Sequence, residues 1–369
     1  MRVLHVTNWY PTKESPYTAL WINRHIKSLD RFCENKVVHV EVKKGPFKLK
    51  LGDTEVEGNQ SYVVTLPFQI WLVTELISYY LVRNVLKNEK GNFDIVNFHI
   101  AYPLCVFLKK LKHIAECPVV ITEHWSAYHF HFGIKGSPAL TKIKKMFSYA
   151  DKIITVSNAL KNDIIDFTSN TRLDFAIIPN IVDTSVFNFQ PEQINTPVFF
   201  MVSQWKDPKD PFTIVRGFAK LIHDNPQIQL NIGGYGPQET LLLDLIGELK
   251  LSDNIHYLGK LDSVQIADYM RKSTAFIHIS DYETFSVVCA EAINCGCPVL
   301  ASDVGGIKEF ITKENGLLIS SKDNFVEAVQ KMIKTNYRRE EIAKEAAKKF
   351  SLGKIGETYY NVLASCNER

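Results

Sequence analysis

Apolar runs with the spacing of β-strands alternate with helical patterns along this chain, and that alternation restricts its fold more than any other feature. The first series is Val3–Thr7, Lys36–Val42, Ser61–Leu66, Ile95–His99, Val119–Thr122, Lys152–Val156 and Ala176–Ile178. A polar, proline-bearing connection follows at residues 188–197 (NFQPEQINTP), a linker by composition. A second series then runs through Val198–Ser203, Ile228–Ile232, Ile255–Leu258, Ala275–Ile279, Pro298–Ala301 and Leu317–Ile319, with helical segments such as 211–223 and 238–249 between strands. Alternation of this kind predicts an α/β architecture of parallel sheets covered by helices on both faces, with ligands at the strands' C-terminal ends. At 369 residues the chain exceeds one ordinary core, so two domains are expected.

With 46% hydrophobic and 22% charged residues, the composition is that of a soluble globular protein. The net charge of +3 is uneven: residues 1–185 carry 23 Lys+Arg against 17 Asp+Glu, and the remainder 20 against 23. A half at +6 beside a half at −3 suits an anionic lipid or membrane surface, and ordinary scatter of surface lysines explains it equally well. The lysines form no nucleic-acid recognition motif, which leaves nucleic acid without support as a partner. Seven cysteines without a C-x-x-C pair read as reduced thiols of a cytoplasmic protein. Residues 2–7 alternate as a strand and turn at once, so no signal peptide is expected. The apolar stretch 66–82 contains Glu75 and is short for a span; a buried or interfacial helix is predicted there.

The stretch 280–310, SDYETFSVVCAEAINCGCPVLASDVGGIKEF, carries the chemistry. Glu283 and Glu291 stand eight residues apart, a spacing that places them on roughly one side of a helix with Glu283 at its positive end. Backbone N–H groups of Thr284, Phe285 and Ser286 at such a terminus suit the phosphates of a nucleotide. By themselves, two such glutamates are also explained as an N-terminal helix acid and a solvated face residue. Their frame, S-x-x-E-T-F-S-x-x-x-x-E-A-x-x-C-G-x-P-V-x-A-S-x-x-G-G, resembles the E-x7-E signature of the retaining, nucleotide-sugar-dependent glycosyltransferases of family 4, which have the GT-B fold of two Rossmann-like domains facing a central cleft. The resemblance extends over essentially the whole chain and implies an acceptor-side domain at 1–185, completed by a C-terminal helix at 351–369, and a nucleotide-sugar-binding domain at 186–350.

The resemblance implies roles for particular residues. Glu283 would contact hydroxyls of the donor sugar and Glu291 the ribose, with Phe285 and Ser286 on the diphosphate. His124, after the strand 119–122, looks like the family's strand-end histidine that touches the donor sugar; His99, at the end of another strand, ranks behind it as an acceptor-side candidate. In the loop VSQWKDPKD (202–210) Lys209 holds the family's lysine position, while Gln204 stands where an arginine is usual and Lys206 is a further cation. The loop Gly233-Gly234-Tyr235-Gly236-Pro237 is similar to the family's G-x-G-P loop and is assigned to donor binding. The loop 8–20 after the first strand offers Trp9 and Tyr10 for sugar stacking, with Thr18 and Ala19 in place of the family's glycines.

Loss of a nucleoside diphosphate requires cations or dipoles on the leaving group. Glu283 is the one candidate nucleophile for a double displacement, and its expected place beside sugar hydroxyls favours front-face transfer with retention instead. No D-x-D motif, no zinc spacing around His124, His129 and His131, and no cofactor signature point to a metal or prosthetic group. The expected substrates are a UDP-, GDP- or ADP-sugar and a glycan or lipid-linked acceptor of bacterial surface polysaccharide synthesis. The site would be cytoplasmic, with peripheral contact at the inner membrane face as a further option. Two readings compete: a non-catalytic or degenerate nucleotide-sugar binder, favoured by Gln204, and another nucleotide-sugar enzyme such as an epimerase.

Overall fold

The structure, a computed structural model, describes residues 1–12, 18–53, 59–68, 70–134 and 138–368. The chain divides into two compact units, Met1–Ile181 with Leu352–Arg369, and Val182–Ser351.

Among the described residues, the first unit is built on eight strands: β1 (Arg2–Thr7), β2 (Glu34–Lys44), β3 (Lys48–Asp53), β4 (Gln60–Leu66), β5 (Ile95–His99), β6 (Val119–Glu123), β7 (Lys152–Thr155) and β8 (Phe175–Ile177). They lie in the order β3-β4-β2-β1-β5-β6-β7-β8. All pairs are parallel except β3 with β4. β3 is absent from the sequence expectation. It is an edge strand of alternating lysine and leucine, which blunts the open edge with charge. Central strands β5 and β6 are buried at every residue, as parallel strands covered on both faces must be.

The helices that connect these strands are α1 (Leu20–Ser28), α2 (Trp71–Asn88), α3 (Leu108–Ala115), α4 (Pro138–Met146) and α5 (Asn158–Thr168). Ser157 caps α5, its side chain accepting from the Leu160 N–H. α2 occupies part of the apolar stretch 66–82 but starts only at Trp71, because Leu66 still belongs to β4.

The second unit has six parallel strands: β9 (Val198–Gln204), β10 (Gln229–Tyr235), β11 (Ile255–Gly259), β12 (Ala275–His278), β13 (Val299–Ser302) and β14 (Gly316–Ile319). Their order, β11-β10-β9-β12-β13-β14, reverses direction at β9 and β12. That is a topological switch point, where open α/β sheets hold ligands. The helices are α6 (Pro211–Asp224), α7 (Glu239–Glu248), α8 (Ser263–Arg271), α9 (Val287–Asn294), α10 (Phe325–Lys334) and α11 (Arg339–Phe350). The charged stretch 331–349 is divided between two helices, α10 and α11, with a break between Lys334 and Arg339. The polar connection 188–197 is held at its start: Arg271 donates to the Asn188 and Val186 carbonyls at 2.9 and 2.5 Å.

Helix α12 (Leu352–Asn367) returns to the first unit. Its Tyr359 is fully buried, and the hydroxyl lies 2.7 Å from both Asn97 Nδ2 and Thr122 Oγ1 on β5 and β6.

Candidate active site

In the second unit two loops are zipped together at the switch point. The Asp210 N–H donates to the Ile279 carbonyl and the Asp281 N–H to the Pro208 carbonyl, both at 2.9 Å. This brings the Lys209 ammonium onto the Glu283 carboxylate as an ion pair. His278, the last residue of β12, places Nε2 2.6 Å from the same Glu283 oxygen, Oε1. Burial alone would raise the Glu283 carboxyl, but Lys209 and His278 outweigh it and hold it down at about 2. The carboxylate is therefore ionised at neutral pH, and its charge is committed to two neighbours.

The backbone of Glu283 is gripped from the other side. The Gly306 N–H donates to its carbonyl at 2.9 Å, and Gly305 has φ +49°. A Cβ at Gly305 would lie 1.8 Å from that carbonyl oxygen, so this position requires glycine. Lys322 ties the two loops further, reaching Asp210 at 2.8 Å and Asp281 at 2.7 Å.

The helix geometry differs from the sequence expectation. α9 begins at Val287, and Ser286 stands at its N-cap with φ 72° and no capping bond from its side chain. Glu283 thus lies in the preceding turn, not on the helix, so the one-sided spacing of Glu283 and Glu291 does not apply. Glu291 lies on α9 and is 7% exposed. Thr284, Phe285 and Ser286 lie in the turn that leads into the helix; the Phe285 ring is buried against Phe310 and Phe350 at 5.0 and 5.5 Å, so only its backbone suits a ligand.

Gln204, at the end of β9, donates from Nε2 to the Tyr235 hydroxyl at 3.2 Å, and Lys206 is exposed in the next turn. The glycine loop packs on Trp205, which is fully buried: a Cβ at Gly234 would meet its indole nitrogen at 2.2 Å, and one at Gly236 its carbonyl oxygen at 2.7 Å. Gly233 sits against Leu261 and Val202. Close packing accounts for all three glycines, and donor binding is an additional assignment.

In the first unit, β6 ends in Glu123, whose buried carboxylate accepts from the N–H groups of Ala101, His124 and Trp125, each at 2.9 Å, and from the Tyr128 hydroxyl at 2.8 Å. Burial raises its pKa while these donors oppose the rise. The carboxylate fixes the turn that presents His124 and Trp125, a positioning role with no sequence signal beyond a strand-end acid. His124 is 7% exposed, and among the described residues neither ring nitrogen makes a hydrogen bond of normal geometry. Burial followed by the nearby His25 holds its pKa well below the usual imidazole value, against the Asn180 side chain.

Three acceptor-side expectations are corrected here. His99 is fully buried, with Nε2 3.0 Å from His5 Nδ1, and belongs to the core. Tyr10 and Ala19 are buried in a cluster with Ile22 and Ile26. Trp9 is half-buried and Thr18 exposed, so both stay accessible. His129 bonds Asp163 at 2.9 Å and His131 packs on Phe167. Among the described residues, no three His, Cys, Asp or Glu side chains converge as a metal site would require.

His278 is the site residue that the sequence reading missed. It closes a strand at the ligand edge, the same signal that singled out His124.

Two doubly wound units, with a cation and a carboxylate at the switch point of the second and a glycine loop at the end of the neighbouring β10, form a GT-B architecture. Residues 17–186 match the model of Glycosyltransferase Family 4 and residues 184–349 that of Glycosyl transferases group 1, and the chain belongs to this family. Among curated relatives, N-acetyl-alpha-D-glucosaminyl L-malate synthase of Bacillus anthracis is 27% identical over 60% of this chain and 60% of its own length. A phosphatidylinositol N-acetylglucosaminyltransferase subunit of Arabidopsis thaliana is 26% identical over 78% of this chain and 66% of its own. The chain thus matches less than two thirds of these relatives' length. HepE of Anabaena in complex with UDP superimposes with a TM-score of 0.77 at 19% identity, over 99% of this chain and all of that one.

Proposed function

We propose that the chain is a retaining glycosyltransferase that moves a sugar from a nucleoside-diphosphate sugar to a hydroxyl of a glycan or lipid-linked acceptor, in surface polysaccharide synthesis. The observation that carries this is the Lys209–Glu283–His278 group at the switch point of the second sheet. Lys209 is the cation available to the departing diphosphate, together with backbone N–H groups at 284–286 and the start of α9. Glu283 is held ionised, orients donor hydroxyls as an acceptor, and is a poor nucleophile while Lys209 and His278 share its charge. This favours front-face transfer, in which the leaving phosphate takes the acceptor's proton. Gln204 leaves the site one cation short of the family's usual pair, with Lys206 in the same loop. Glu291 is assigned to the ribose and His124 to the donor sugar. The UDP complex of HepE supports a nucleotide-sugar donor.

Peripheral contact with a membrane is also part of this reading, supported by α2. The inward face of its first half is polar, with Thr74, Glu75 and Ser78 at 7, 2 and 1% exposure, before Val82, Val85 and Leu86 take over; Leu72, Leu76 and Tyr80 face outward at 51, 39 and 57%. Ile70 and Phe68 extend the outward apolar row. That inverted pattern suits an apolar boundary better than water. Among the described residues no helix is long and apolar enough to cross a membrane.

Calorimetry against UDP, GDP and ADP, with and without EDTA, tests the central claim. One nucleotide is expected to bind regardless of EDTA, and Glu291→Ala is expected to weaken it by about 1–3 kcal/mol. Absence of binding to all three would move the degenerate-binder reading ahead, and unchanged binding by the variant would remove Glu291 from the ribose.

A further inference from the structure

A cavity of about 670 Å³ opens in the first unit beside the ends of β1, β2 and β6 and the start of α2. Three of the chain's five tryptophans, Trp9, Trp71 and Trp125, line it. Their rings form a connected wall: Trp9 meets Trp125 edge-on at 5.4 Å, Trp125 meets Phe132 at 5.3 Å, and Phe132 meets Trp71 at 6.1 Å. Aromatic walls of this kind accept the C–H face of a pyranose.

Two polar features say more about the occupant. Asn8 is 8% exposed and lines the cavity; its Nδ2 donates to the Tyr102 carbonyl at 2.9 Å, while its Oδ1 is buried without a partner among the described residues. A buried acceptor left open is costly, and a ligand hydroxyl would satisfy it. Glu41, Lys43 and Lys44 at the end of β2 also line the cavity. Lys43 pairs with Glu41 at 3.4 Å, and Lys44 has no ion pair among the described residues. Among the described lining residues, two lysines thus stand against one glutamate, a net charge of +1.

We propose that this cavity binds the acceptor, and that the acceptor is an anionic saccharide whose carboxylate or phosphate meets Lys44 while a sugar ring lies against Trp9 and Trp125 and a hydroxyl donates to Asn8 Oδ1. The assignment rests on the transferase reading above, and it adds the charge class of the acceptor and the residue that selects it.

Tryptophan fluorescence reads the site directly, without turnover. The full chain is titrated at 0.15 M salt with methyl glucuronide, glucose 1-phosphate and neutral methyl glucoside. A saturable change is expected with at least one anionic sugar, at tenfold or more lower Kd than with methyl glucoside; which anion binds tells carboxylate from phosphate. Lys44→Glu, an exposed substitution, is expected to weaken the anionic sugar at least tenfold and leave methyl glucoside unchanged. Trp125→Ala is expected to lose all three sugars while UDP binding, measured by calorimetry, persists. Equal binding of neutral and anionic sugars, or an unaffected Lys44→Glu protein, overturns the anionic assignment. No response to any sugar in a protein that still binds UDP overturns the site, whereas loss of UDP binding in the parent strikes the transferase reading instead.

Discussion

At the scale of single residues, the proposed chemistry depends on how firmly one carboxylate is held. Glu283 is fixed by side-chain bonds to Lys209 and His278 and by a backbone bond from Gly306, and the loop that supplies that bond passes so close that only glycine fits at 305. Gly305→Ala adds one methyl group at a half-buried turn of the second unit, where φ +49° and the 1.8 Å approach force the loop off Glu283. Turnover is expected to fall tenfold or more, since small misplacements at a reacting centre are costly, with little change in thermal midpoint. An alanine variant as active as the parent would show that this grip is unimportant. Of these residues, Lys209, Glu283 and the glycine pair were legible because their types recur in a recognisable frame. His278 and Glu123 were not, because a strand-end histidine or acid becomes informative only when its partners are known.

At the scale of elements, α2 is the informative case. Its sequence mixes polar and apolar residues without a clean stripe, and whether it was a buried or an interfacial helix stayed open. Packing settled which face is inward: the buried residues in its first half are Thr74, Glu75 and Ser78, and leucines are left outside. A leucine moved fully out of water contributes about 1.5–3 kcal/mol, and Leu72 and Leu76, 51 and 39% exposed, would each supply part of that to the membrane contact proposed above. The protein is expected to float with vesicles containing anionic lipid, and Leu76→Lys to reduce the bound fraction severalfold without altering nucleotide affinity. Equal flotation of both proteins would remove α2 as the contact. The edge strand β3 was missed for a related reason: four alternating lysines and leucines are too short a pattern to stand out until β4 provides a pairing edge.

At the scale of the whole molecule, the two units respond to acid in different windows. In the first unit His5 and His25 are buried and their pKa values are lowered by that burial to about 4 from 6.5, with His99 and His124 lowered as well. The folded unit keeps these rings neutral while the unfolded chain protonates them first. Their contribution is thus complete above pH 6.5 and is lost as the pH falls toward 4, on the order of 3 kcal/mol per ring. Glu283 in the second unit contributes above its unfolded value of 4.5 and loses that contribution only toward pH 2. Denaturant midpoints should therefore begin to fall just below pH 6.5, with the first unit unfolding first. A flat profile from pH 7 to 5 would contradict the buried neutral cluster.

Sequence by itself determined the α/β class, nearly every parallel strand to within a residue or two, the family, and the residue types at the strand ends, because strand period, turn residues and a thirty-residue frame are local properties of the chain. Tertiary structure decided what those strand ends meet. It withdrew Tyr10, Ala19 and His99 into the core, took Glu283 off the helix and onto Lys209 and His278, and gathered Trp9, Trp71 and Trp125 around one cavity. Most of those outcomes depend on contacts between residues tens of positions apart, such as Lys209 with Glu283, and the free energy of burial and charge pairing that selects them has no local signature.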